Sequence, residues 1–238
     1  MAAVTKAGPC ERIDCARLTT TEINTTLRRL AHEGVAAIEL LNPNGRHNLG
    51  VCVTDPVRLV YRGDVGYYAV SICDHVSATI HGDAGWGVAE NLMNGEVVVE
   101  GNASSAAATS IRSGRVIVKG DAGPRSAIGM KGGEVVIGGN AGYMTGFMMQ
   151  TGRLIVCGST ARAFADSIYD GAVFVGGRIE EQGNGLKQVD PAPGELDDIR
   201  ALLDRHGMPA PKGFRKLVSD GSLRTFKKEA FEVWKEIL

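Results

Sequence analysis

The chain has 238 residues, 26 basic against 27 acidic side chains and a formal net charge of −1, with 44% hydrophobic and 22% charged residues. These are the proportions of a folded globular protein with a sizeable core, and they exclude a disordered chain. No apolar run approaches the ~18 residues of a membrane-spanning helix, the first residues lack the apolar stretch of a secretory signal, and no basic block invites nucleic acid.

In chain order, Thr19-Thr20-Thr21-Glu22 forms a capping box ahead of Ile23, Leu27 and Leu30, with Gly34 as the stop. A short amphipathic helix followed by a strand-like VAAIELL is expected, and residues 1–43 read as an N-terminal cap. Then glycine dominates: 32 in all, 21 of them in the 114 residues from Gly63 to Gly176. Gly63, Gly82, Gly101, Gly120, Gly139, Gly158 and Gly177 stand 19 residues apart. Each unit ends in a strand-like run such as EVVVEG, RVIVKG or RLIVCG, preceded by a second glycine column at Gly95, Gly114, Gly133, Gly152 and Gly171. A degenerate unit from Asn44 to Arg62 fits the same frame.

A fixed period this long is the mark of a solenoid, whose turns bury their apolar faces only against one another. Short Val/Ile runs between glycines suit strands rather than helices, and strands all running one way must pair in parallel. The expected fold is therefore an all-β core: a right-handed parallel β-helix over residues 44–177, about seven 19-residue turns, with short α-helices at both ends.

Columns through the repeat assign the faces. Val97, Val116, Val135, Leu154 and Val173 point inward, as do Val99, Val118, Ile137, Val156 and Val175. A small column (Ala89, Ala108, Ala127, Gly146, Ala165) and an apolar one (Leu92, Ile111, Met130, Met149, Ile168) lie opposite. The corner glycines should permit positive φ and close approach, while the Asp or Asn after each leading glycine bonds nearby amides. Glu96, Arg115, Glu134 and Arg153 should stack as a ladder of alternating charge. Outward from the strands, Val98, Ile117, Val136, Ile155 and Phe174 form a stripe too apolar for water. Either a companion subunit docks on it, or a terminal helix of this chain covers it.

From Arg178 to Leu238 charge density rises, to 22 charged residues in 61 against 31 in the 177 before. Residues 178–238 read as a helical tail, with one helix through Leu196, Ile199, Leu202 and Leu203 ending at Gly207, and a second placing Ala230, Phe231 and Trp234 on one face.

Chemistry is sparse. Gly82-x-x-Gly85-x-Gly87 lacks the following helix of a phosphate loop and reads as corner glycines. The aspartates lack the nonapeptide of a calcium β-roll. The histidines (His32, His47, His75, His81, His206) show no ligand spacing. Five cysteines without a C-x-x-C pair suggest free thiols in a reducing cytoplasm; Cys10 and Cys15 could be two ligands of a cluster, but nothing supplies the rest. No catalytic, cofactor-binding or metal-binding residue is assigned. Tyr67, Tyr68, Trp86 and Tyr143 fall at corners, as a partner patch or as end-of-turn packing.

The G-x-x-G-x-x-x-G corners, clearest in GNAGYMTG (Gly139–Gly146), resemble the GXGXG β-helix domain that ends the large subunit of glutamate synthase. LLNPNGRH (Leu40–His47), GYY (Gly66–Tyr68), GVAENLMNG (Gly87–Gly95) and GYMTGFMMQTGRLIVCG (Gly142–Gly158) look like the free-standing β-helix subunit of N-methylglutamate synthase. The resemblance covers roughly residues 35–185, and more weakly FRKLVSDGSLRTF (Phe214–Phe226); GNASSAAATS and GSTARAFA depart by losing the second corner glycine. It implies a cytoplasmic, non-catalytic subunit of a hetero-oligomer that makes N-methyl-L-glutamate and ammonia from methylamine and L-glutamate. The implied partners are a class II glutamine-amidotransferase-like subunit and a glutamate-synthase-like subunit carrying FMN and iron–sulfur clusters, with ammonia passing between them. Similar domains serve formylmethanofuran dehydrogenase and the formyltransferase/hydrolase complex, and an autonomous binding module is a further alternative.

Overall fold

A computed structural model describes residues 10–222 and is a parallel β-solenoid of about seven turns. The elements are β1 (Cys10–Asp14), α1 (Thr20–His32), β2 (Ala37–Leu41), β3 (Val57–Arg62), β4 (Val76–Ile80) and β5 (Gly95–Val99). There follow β6 (Arg115–Val118), β7 (Glu134–Ile137), β8 (Arg153–Val156), β9 (Ala172–Val175), β10 (Leu186–Val189), α2 (Glu195–Arg205) and β11 (Arg215–Ser219). All eleven strands form one sheet in the order β1-β2-β3-β4-β5-β6-β7-β8-β9-β11-β10. From β3 to β9 the register keeps the 19-residue frame, with Val97 opposite Val116 and Val116 opposite Val135.

The stacking extends beyond residues 44–177 at both ends. β1 and β2 pair in parallel ahead of β3, and Ile179 and Gln182 still bridge Thr160 and Phe164. β11 then returns antiparallel between β9 and β10, which ends the parallel stack and covers its last strand. At the other end α1 carries the expected capping box and buries Ile23, Leu27 and Ala31. Asn24, also buried, donates to the Asn48 carbonyl (2.7 Å) and accepts from the Gly50 amide (2.8 Å), pinning α1 to the first turn.

The first turn departs from the frame. Four residues separate Cys52 from Val57, where three separate Ile72 from Val76. Pro56 sits in this longer corner, so Asn48, Gly50 and Cys52 match Tyr68, Val70 and Ile72 at 20 residues rather than 19.

The inward columns are fully buried as expected. The two glycine columns have different causes. At Gly101 φ is ordinary, but an added Cβ would meet the Asp83 carboxylate at 2.2 Å and the Gly82 carbonyl at 2.8 Å, so only close approach demands glycine. At Gly114 φ is +75°, and an added Cβ would lie 2.2 Å from the Gly95 carbonyl, so conformation and space both demand it. The same close approach holds at Gly82, Gly120, Gly139, Gly158 and Gly177, and of the leading column only Gly63 has a positive φ.

The apolar stripe is closed. Val98, Ile117, Val136, Ile155 and Phe174 are 0–8% exposed and pack against Ile199, Leu202 and Leu203 of α2 and Met208 after it. Their assignment as a partner-docking stripe is therefore corrected: the i, i+3, i+4 face of α2 lies along the sheet instead of capping an end. Lys216 of β11 holds Glu195 at the start of α2 (2.7 Å), and Phe214 meets Phe174 edge-on at 6.5 Å. The proposed second helix through Phe231 and Trp234 lies outside the described residues.

Candidate interaction surface

Two walls of the solenoid reach the outside with different chemistry. On the strand wall, Glu96, Arg115, Glu134 and Arg153 stack in register. Arg115 donates to Glu134 (2.8 Å) and to Glu96 (3.1 Å), and Arg153 bonds the other oxygen of Glu134. Glu134 is only 7% exposed, which is tolerable because two guanidiniums meet it. α2 lies beside this ladder, and His206 after it faces Glu96 at 3.9 Å.

The opposite wall is built from residues with positive φ, three per turn: Tyr68, Val70 and Ile72; Gly87, Ala89 and Asn91; and so on to Ala163, Ala165 and Ser167. With the first turn's set these make twenty-one positions, of which four are glycine. Such a conformation costs a non-glycine residue about 1–2 kcal/mol, so something must hold it. Alternating amides do so: Gly87 and Asn91 donate forward to Ser105 and Thr109 (2.9 and 2.8 Å), while Ala89 and Met93 donate back to Ala69 and Cys73 (2.9 and 2.8 Å). The middle residue of each triplet faces the core, and its neighbours face out.

Every large hydrophobic side chain exposed among the described residues is on this wall: Tyr67, Tyr68, Ile72, Trp86, Met93, Tyr143, Met148 and Tyr169. They fall into two clusters. In the first, His47 stacks on Tyr67 at 4.3 Å and Trp86 meets Tyr67 edge-on at 6.2 Å. His47 Nδ1 accepts the Tyr67 amide (2.9 Å), which leaves the proton on Nε2. Beside them Tyr68, Ile72 and Cys52 line a cavity of about 290 Å³ with Asn48, Glu90 and Asn91. The second cluster is Tyr143, Met148 and Tyr169, with a cavity of about 360 Å³ lined by Tyr143, Arg162, Ala163 and Glu181. Tyr143 thus stands three turns from Trp86, and the four aromatics noted in the sequence belong to two groups. Ile72, Met93, Met148 and Tyr169 were not singled out, although the frame marks them: they sit nine or eleven residues after a leading glycine, as Tyr67, Trp86 and Tyr143 sit four after.

The remaining reactive groups are spent or apart. Burial raises the thiol of Cys73 to about 12 and that of Cys157 to about 11, so both stay protonated. Among the described residues no three His, Cys, Asp or Glu side chains are grouped to hold a metal ion, and no helix is long and apolar enough to cross a membrane. Comparison with models of known protein families and with curated proteins finds no match to this chain.

Proposed function

We propose that this chain is the non-catalytic scaffold subunit of a glutamate-synthase-like complex, with N-methylglutamate synthase as the preferred case. One observation carries the scaffold role: among the described residues the stack of turns gathers its exposed large apolar side chains on a single wall, in two clusters, while the opposite wall is sealed by α2. The assignment to a glutamate-synthase-like complex rests on the resemblance of GVAENLMNG and GYMTGFMMQTGRLIVCG. In this role the chain holds the amidotransferase-like and FMN-binding subunits in register for ammonia transfer. The chemistry, methylamine plus L-glutamate to N-methyl-L-glutamate plus ammonia, resides on those subunits.

Purifying the tagged chain from its native cells and identifying its companions by mass spectrometry tests the proposal. The expected companions are an amidotransferase-like and an FMN-binding glutamate-synthase-like chain, and the complex should form N-methylglutamate from methylamine. Formyltransferase-type companions move the chain to one-carbon metabolism. A monodisperse chain without companions removes the scaffold role.

A further inference from the structure

The positive-φ wall carries a charge pattern that its own fold does not resolve. Arg112 and Lys131 occupy one column in consecutive turns, their amides bonding Leu92 and Ile111 in the same way (2.9 and 2.8 Å). Arg125, six residues earlier in the turn of Lys131 and first of its positive-φ triplet, is exposed. Like charges stacked in one column repel. On the strand wall the same spacing is used with alternating sign, and each arginine of the ladder has a carboxylate. Arg112, Arg125 and Lys131 have no ion pair among the described residues. This basic band lies between the two apolar clusters. Ile72 and Met148 share a column four turns apart, roughly 19 Å at 4.8 Å per turn, the length of about 13 helical residues.

Resting on the scaffold reading above, we infer that a companion subunit docks here through one acidic segment, whose carboxylates meet Arg112, Arg125 and Lys131 and whose apolar side chains seat on the two flanking clusters. The cavity between Tyr68 and Ile72 offers a socket of about 290 Å³ for one of those anchors. A nucleic acid fits less well. Ile72, Met93 and Met148 are not stacking platforms, and Asp74 and Glu90 at one end with Asp166 at the other would repel a continuous polyanion. A protein segment that is acidic in its middle and apolar at its ends matches all three zones.

The test compares the full-length chain purified with its companions and purified alone, by hydroxyl-radical footprinting read by mass spectrometry. Labelling of Tyr68, Trp86, Tyr143 and Met148 should fall severalfold in the complex. The triple variant Arg112→Glu, Arg125→Glu, Lys131→Glu should keep its Tm yet bind the companion at least about tenfold more weakly, with a flatter salt dependence. Trp86→Ala and Met148→Ala test the apolar ends separately and should each weaken the complex.

A complex whose positive-φ wall labels as in the free chain overturns this inference and leaves the scaffold reading standing. A chain that never acquires companions overturns both. Protection already present in the isolated chain overturns it too: concentration-dependent protection assigns the wall to a second copy, and concentration-independent protection to residues outside 10–222. Protection abolished by nuclease assigns it to nucleic acid.

Discussion

The two walls share a period, a core and a hydrogen-bonding partner on either side, yet they solve opposite problems. The strand wall uses β-branched residues in their preferred conformation, alternates charge along its outer column, and is covered by α2. The positive-φ wall places Ala, Met, Arg and Ser where glycine is favoured, leaves like charges in one column, and shows aromatic side chains to the outside. The first wall is finished within the chain. The second tolerates local strain because most of its strained amides are bonded to a neighbouring turn, and among the described residues no element covers its outer face.

The sharpest way to break this contrast is to put the same charge on each wall. Val136→Glu buries a carboxylate beneath α2, where Val136 is 0% exposed, and should cost about 3–5 kcal/mol in urea unfolding. Trp86→Glu, at a side chain 46% exposed, should change stability by no more than about 0.5 kcal/mol. Equal losses would mean that the walls are not differently closed.

Gly114→Ala comes next, since it forces a side chain into both a positive φ and the Gly95 carbonyl; a loss of about 2–3 kcal/mol is expected in thermal unfolding. The pH dependence of α2 docking is a smaller effect. Burial pushes His206 below its ordinary 6.5, aided by Arg115, Arg205 and Lys119 and opposed by Glu96, and its Nε2 has no hydrogen-bond partner. The unfolded chain therefore takes up a proton near pH 6.5 while the folded chain does not. Stability is full above that pH and falls as pH drops from 6.5 toward the lowered value. Urea midpoints at pH 7.5 and 5.5 should show this, and His206→Gln should reduce the difference. Smallest of all, Ala106→Gly on the positive-φ wall (φ 62°) should raise stability by about 0.5 kcal/mol, because relief of strain exceeds the added chain entropy.

What could be read in the sequence follows the same division. The strand wall was legible because period, β-branching and close approach all act on residues 19 apart, so Gly101 and Gly120, or Val116 and Val135, repeat visibly. The charge ladder was legible for the same reason. What covers Val136 was not: the apolar face of α2 was plain, but its destination depends on a contact across more than sixty residues. The antiparallel insertion of β11 was hidden likewise, because Arg215–Ser219 is a short run in a charged tail. The positive-φ wall left almost no trace. Its conformation is imposed by the hydrogen bonds of adjacent turns, so Ala108, Arg125 and Met144 accept it without announcing it.

The polar column at the leading corners has a direction. The Asp64 side chain accepts the amide of Asp83, Asp83 that of Asn102, Asn102 that of Asp121, Asp121 that of Asn140, and Asn140 that of Ser159. In every rung the earlier turn supplies the acceptor and the later turn the donor. A chain emerging from the ribosome thus always finds its acceptor already made, and each completed corner is a template for the next. Growth from the N-terminal end is favoured over closure from the C-terminal end, which would leave a row of corner amides waiting for partners. Chains halted after a whole number of turns, with α1 present, should already resist protease through their finished corners, whereas fragments lacking α1 and the first turns should not.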